Sequence, residues 1–120
     1  MNEIFIECSP GISGDMLLAA FYDLGVPKII FEKPLIKLGL RNFFSLSFCE
    51  SKSFTLRGVK AEVNILKNNK KKKWKDIKKL IFSGLLDKEL ESMIIKVFEL
   101  LAIAEGKVHG VHPDEVHFHE

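Results

Sequence analysis

Hydrophobic side chains recur with two different periods along this 120-residue chain. Spacings of three or four residues, typical of helices with one buried face, occur over residues 14–24, 29–38, 74–83 and 88–109. Alternation of apolar and polar residues, typical of half-buried strands, occurs over residues 3–8, 44–49 and 54–65. The chain order therefore predicts one strand, two helices, two antiparallel strands and two further helices.

Local signals predict where these elements end or bend. Asp87 is placed to cap the longest helix and Gly110 to end it. Pro34 should break the second helix, because proline lacks the backbone N–H that a helix interior needs. The sequence "ESKS" predicts the turn between the second and third strands. In the third strand the apolar residues change phase near Gly58, which predicts a β-bulge there.

These elements predict an α+β fold. We expect a small open sheet, mixed or antiparallel, covered by helices in the order β-α-α-β-β-α-α. The length matches one domain over residues 1–120. Hydrophobic residues make up 47% of the chain, but no run approaches the ~20 apolar residues of a membrane span. The first residues also lack a secretory signal, so we expect a cytoplasmic protein that contacts no membrane.

Charge and cysteine content restrict the chemistry further. The net charge is only +2, but lysines are concentrated between Lys67 and Lys79. The two cysteines, Cys8 and Cys49, form no CxxC pair or spaced framework, so we expect reduced thiols. The sequence therefore predicts a local basic patch and no redox site.

The stretch "SPGISGD", residues 9–15, joins the first predicted strand to the first helix. At such a junction the unpaired N–H groups of a helix start favour an anion, and Gly11 and Gly14 would let it approach closely. Ser9 and Ser13 would add hydroxyl donors, whereas Asp15 would repel a phosphate unless a cation lay between them. In the alternative interpretation, Ser13 caps the helix, Asp15 complements its dipole and Gly11 only adopts a positive φ.

The chain has four histidines, all within its last twelve residues: His109, His112, His117 and His119. In an extended segment His117 and His119 project to the same side and could bind one metal ion, with Glu120 adding an oxygen. Glu105 and His109 share a helix face and form a second candidate pair. Nickel, zinc, manganese and iron all suit these donors. The alternative is a solvated tail whose histidines bind nothing.

Four motifs in a fixed order carry a family resemblance: "GISGDM", "LGL", "EGKVHG" and "EVHFHE". With them the whole chain resembles the N-terminal region of the LarC family of nickel insertion proteins, which are cytoplasmic. The resemblance implies insertion of nickel into pyridinium-3,5-bisthiocarboxylic acid mononucleotide, with formation of nickel–sulfur and nickel–carbon bonds. It also implies CTP with magnesium or manganese, and a C-terminal nucleotide-binding domain on the same or a separate chain. Without that domain, these 120 residues would bind rather than turn over substrate.

The resemblance also implies roles for particular residues. The loop residues that would hold the mononucleotide phosphate or a divalent ion are Ser9, Gly11, Ser13 and Gly14, together with Asp15 as a catalytic residue. The residues that would carry nickel are His117, His119 and Glu120, and the helix spacing with Glu105 adds His109. We expect folding to bring both groups into one pocket. The segment "NNKKKKWKDI" departs from the family's histidine-rich loop, so nickel storage is not expected there.

Two other classes of function remain open from the sequence. One is a nucleic-acid-binding module in which the lysines of the 67–79 segment contact phosphates and Trp74 stacks on a base. The other is a structural protein that binds a partner through the apolar face of its last helix. An oligomer is compatible with each interpretation.

Overall fold

The computed structural model describes residues 3–67 and 71–118 and confirms the α+β class. The elements are α1 (Gly14–Asp23), α2 (Lys28–Lys37), β1 (Phe44–Ser53), β2 (Leu56–Ile65), α3 (Trp74–Ser83), α4 (Lys88–His109) and a 3₁₀ helix (Pro113–Glu115). The strands form a two-stranded antiparallel sheet. Of the helices in the described ranges, none is both long enough and apolar enough to cross a bilayer.

The segment before α1 does not form the strand that its alternation predicts. Residues 3–8 adopt no regular structure, and Ile4, Phe5 and Ile6 are each more than half exposed. A strand needs a neighbour to pair with, and β1 and β2 pair only with each other within the described residues. The alternation of residues 3–8 therefore has no sheet to join in this structure.

The hairpin is more regular than the sequence predicts. Pairing runs without interruption from Phe44 opposite Ile65 to Ser53 opposite Leu56, so the predicted bulge at Gly58 is wrong. The turn lies after Ser53 rather than at "ESKS", and Phe54 occupies it with φ +55° and a fully exposed side chain. The apolar phase changes because Phe54 belongs to the turn and Leu56, the first residue of β2, is exposed.

Helices α1 and α2 flank the hairpin. Helix α1 packs on β2, and the Tyr22 ring stacks on Phe48 of β1 with ring centroids 4.0 Å apart. The Phe31 ring of α2 contacts the other side of this aromatic cluster, with its centroid 5.8 Å from that of Phe48. Helix α2 runs through Pro34 without a break, so the break predicted there is wrong. The proline costs one N–H donor but leaves the helical path intact.

The C-terminal half has its own core, built around Trp74. The fully buried Trp74 ring packs with Ile81, Leu86 and Ala102, and Phe98 and Phe118 cover it. Leu38, which follows α2, also packs against this cluster and joins the two halves.

The predicted ends of α4 are confirmed. The Asp87 carboxylate accepts hydrogen bonds from the Glu89 and Leu90 amides, at 3.0 and 3.4 Å. Gly110 ends the helix in the left-handed conformation, with φ +67°. Capping at both ends defines a helix of 22 residues, whose last turn leads directly into the histidine-bearing segment.

Candidate functional site

The junction of residues 9–15 forms a tight turn followed by the start of α1. The Gly11 amide donates to the Cys8 carbonyl at 2.8 Å, and Gly11 has φ +92°, a conformation that favours glycine. Gly14 has no positive φ, and a Cβ atom there would meet no heavy atom within 4 Å. The backbone thus requires glycine at position 11, whereas at position 14 glycine leaves open space in front of the helix.

Both serine hydroxyls of the junction donate to carboxylates. Ser9 Oγ donates to Glu7 Oε1 at 3.1 Å, and Ser13 Oγ donates to Asp15 Oδ1. Ser13 is the residue before α1, but its side chain bonds no backbone amide, so the predicted serine cap is wrong. The Ser13 hydroxyl and the Met16 amide lower the pKa of Asp15, which is exposed and ionised at neutral pH. A phosphate here would compete with Asp15 for the Ser13 hydroxyl.

The described part of the tail, residues 111–118, is docked on the C-terminal core. The Trp74 amide donates to the Val116 carbonyl at 2.9 Å, and Lys73 and His117 form an antiparallel bridge. The Val116 side chain is 3% exposed, and the Phe118 ring packs on Trp74. This packing excludes a freely solvated tail for residues 111–118.

Lysines of the basic segment clamp the tail through its acidic 3₁₀ helix. Lys73 Nζ and Lys75 Nζ both donate to the Glu115 carboxylate, and Lys78 Nζ lies 3.3 Å from Asp114 Oδ1. The hydrogen bonds from Lys73 and Lys75 lower the pKa of Glu115 to about 2. Because the pKa of Glu115 is lower in the folded state than its unfolded value of 4.5, ionised Glu115 stabilises the fold at pH values above 4.5. This contribution is lost as the pH falls towards the folded-state pKa of about 2. The clamp is therefore charged across the physiological pH range.

A cleft of about 300 Å³ lies beside the docked tail. His109 of α4 and His117 of the tail both line it, together with Lys71 and Glu115. His109 Nε2 lies 3.1 Å from Glu105 Oε2, which fixes the orientation of that ring. His117 Nδ1 is buried and has no hydrogen-bond partner among the described residues. Such an atom loses its hydration without compensation, which is a common mark of a ligand site.

The remaining predicted metal ligands divide into two groups. His119 and Glu120 lie outside the described residues, and within residues 3–67 and 71–118 no three potential ligands converge. His112 does not line the cleft, and its Nδ1 accepts a hydrogen bond from the Asp114 amide at 3.2 Å. Of the three histidines that the structure describes, His109 and His117 thus line the same cleft.

The described residues of the junction and those of the tail line different clefts. Asp15 lines a cleft of about 380 Å³ with Lys60 and other hairpin residues, and Gly11 lines another of about 370 Å³ beside α1. Among the described residues, none of the five clefts of about 290 to 380 Å³ is lined by both regions. The expectation of one common pocket is therefore not met. The role of Glu115 in holding the tail is not predicted from the sequence. Its partners, Lys73 and Lys75, are 42 and 40 residues away, so no local pattern indicates the contact.

The matching family model and the similar proteins all bear the description nickel insertion protein. The model of the family described as nickel insertion protein matches residues 4–120. The pyridinium-3,5-bisthiocarboxylic acid mononucleotide nickel insertion protein of Clostridium kluyveri is 33% identical over 132 residues, which cover 100% of this chain and 33% of that protein. The proteins of the same name from Akkermansia muciniphila and Staphylococcus epidermidis are each 34% identical, over 100% and 98% of this chain and 32% and 29% of their own lengths.

The chain spans about a third of the length of these curated relatives. No solved structure matches it. The resemblance drawn from the four motifs is nonetheless confirmed, because the family model extends over almost every residue. The chain belongs to the nickel insertion protein family.

Proposed function

We propose that this chain binds nickel for its insertion into pyridinium-3,5-bisthiocarboxylic acid mononucleotide, as part of a cytoplasmic protein system. The relatives bear that substrate in their names, and the chain covers about a third of them. The observation that carries the proposal is the buried Nδ1 of His117, which has no hydrogen-bond partner within residues 3–67 and 71–118 and lies beside a cleft that His109 also lines. A neutral imidazole nitrogen is a good ligand for nickel.

In this proposal the tail holds nickel as cargo. His109 and His117 supply imidazole nitrogens, and His119 and Glu120, which follow directly in sequence, complete the ligand set. Glu105 orients His109 from behind, as carboxylates do for many metal-binding histidines. The Glu115 clamp holds His117 beside α3, which reduces the entropy lost when the ligands converge on the ion.

The junction is proposed as the phosphate site for the mononucleotide, with Gly11, Gly14, Ser9 and Ser13 as binding residues and Asp15 as an acid beside them. Since junction and tail line different clefts, nickel and mononucleotide would meet only after a movement of one region or with the rest of the protein. For CTP with magnesium or manganese the fit is poor. Those ions need several oxygen ligands, whereas no three potential ligands converge within residues 3–67 and 71–118. No role for CTP is therefore derived from these residues.

Replacement of the tail histidines is expected to weaken nickel binding. In calorimetric titration with nickel chloride, the variant with His117→Ala and His119→Ala should have a dissociation constant about 10- to 100-fold higher than the unmodified chain, because ligands are lost. His112→Asn is the matched control: it removes a neighbouring imidazole outside the cleft and keeps a side-chain acceptor for the Asp114 amide. Equal affinities for the double variant and the unmodified chain would remove the tail from nickel binding.

Substitution of Gly14 tests the phosphate site. A Cβ at Gly14 meets no protein atom, so Gly14→Val should fold normally while filling the space that a phosphate needs. Binding of pyridinium-3,5-bisthiocarboxylic acid mononucleotide, followed by equilibrium dialysis, should weaken about tenfold or more. If binding is unchanged, the phosphate lies elsewhere, and the nickel titration is unaffected by that outcome.

The nucleic-acid alternative has weaker support. Trp74 is fully buried and so is not a platform for a base. Lys73 and Lys75 are paired with Glu115, and Lys78 with Asp114 and Glu99. These contacts give the basic segment a different task, which is to hold the histidine-bearing tail.

A further inference from the structure

Helix α4 has two apolar faces. The first, which includes Ile94, Ile95, Phe98 and Ala102, packs on the Trp74 core. The second lies about 130° further around the helix, at ~100° per residue, and consists of Leu90, Met93, Val97, Leu100, Ala104 and Val108. We call this second set the exposed seam.

The exposed seam is apolar along its whole length and uncovered. Met93, Val97, Leu100 and Val108 are 63%, 58%, 65% and 79% exposed. The first five positions alternate spacings of three and four residues, which is the pattern of a helix that packs lengthwise against another helix. The seam extends for about 27 Å at 1.5 Å per residue. A continuous apolar strip of this kind marks an interaction site in a soluble protein.

We propose that the exposed seam pairs two copies of this chain through an antiparallel α4–α4 contact. About a two-fold axis between Val97 and Leu100, Val97 of one copy faces Leu100 of the other, and Met93 faces Ala104. Such isologous contacts are the commonest form of self-association. The inference does not depend on nickel binding.

Charge at the two ends of α4 favours this orientation. The first turn carries the exposed acid Glu89, and the last turn carries the exposed base Lys107. Both lie at the same edge of the seam, so an antiparallel arrangement brings Glu89 of one copy beside Lys107 of the other. The helix dipoles then also oppose each other favourably. A parallel arrangement would instead bring the like ends of the two helix dipoles together.

Sedimentation equilibrium of the unmodified chain is the first test. We expect a concentration-dependent increase from the 13.7 kDa monomer to twice that mass, with a dissociation constant between about 1 µM and 1 mM, because the seam is smaller than a standard interface. Val97→Glu, at the centre of the seam, should raise the dissociation constant by about tenfold or more. Phe82→Glu replaces an equally exposed apolar residue on α3 and should leave it unchanged.

A charge exchange tests the orientation. Glu89→Lys alone and Lys107→Glu alone should each weaken the dimer, since each puts like charges together, and the combined variant should restore it. Non-specific hydrophobic association through the exposed seam would show no such rescue. A chain that stays monomeric up to millimolar concentration overturns the proposal, and the seam is then the contact surface for another part of the longer family members. Dimerisation without rescue by the double variant overturns the antiparallel geometry.

Discussion

Trp74→Ala is expected to lower the free energy of unfolding by about 3–5 kcal/mol, the usual cost of removing a large buried aromatic side chain. Trp74 is fully buried, and its ring stacks on Phe98 with centroids 5.5 Å apart. The Trp74 ring also contacts the Phe118 ring, and their centroids are 6.2 Å apart. Removal of the Trp74 ring therefore takes away a packing partner of the docked tail. A single domain is typically stable by about 5–15 kcal/mol, so this loss would remove between about a fifth and nearly all of its stability.

The measurement is urea unfolding followed by far-ultraviolet circular dichroism, because Trp74 is the only tryptophan and its fluorescence disappears with it. Trp74→Phe is the matched control. It retains an aromatic ring in the core and should cost clearly less than the alanine variant. A cost below about 1 kcal/mol for Trp74→Ala would mean that the tail and α3 do not pack as described.

The elements that the sequence predicts well are those with local causes. Helix α4 is specified by its own repeat and by caps at both ends, Asp87 and Gly110, which act within one or two turns. The failures depend on contacts distant in sequence. The alternation over residues 3–8 signals a strand, but only a neighbouring strand can make it one. The predicted break at Pro34 fails because one lost hydrogen bond does not outweigh the packing of α2 on either side of it.

The candidate site could be predicted only in part for the same reason. The clustering of histidines near the end of the chain is visible in the sequence, and it indicates a metal site through residue type alone. The docking of that segment depends on the Trp74–Val116 hydrogen bond and on the pairing of Glu115 with Lys73. More than 40 residues separate Glu115 from Lys73, and no local pattern connects them. The sequence therefore predicts only a basic surface patch, whereas Lys73, Lys75 and Lys78 hold the tail in place.

Gly106→Val is expected to displace the docked tail from α4. A Cβ at Gly106 would lie 2.8 Å from the Val111 carbonyl oxygen and 3.5 Å from the Pro113 nitrogen, so the tail backbone itself must move. Overpacking of this kind costs about 1–3 kcal/mol and occasionally more, and a β-branched residue enlarges the clash. Because His117 is held by the same segment, nickel affinity should fall together with stability.

Gly14→Val is the matched control for this substitution, because a Cβ there contacts nothing, and its free energy of unfolding should change little. Urea unfolding and nickel titration of the two variants compare a substitution beside the docked tail with one in the N-terminal half of the chain. Loss of stability and of nickel affinity in Gly106→Val alone ties metal binding to the docked tail. If Gly106→Val binds nickel as tightly as the unmodified chain while its stability falls, the ligands do not need the position that α4 gives them. Retention of both properties would mean that the tail does not rest on Gly106.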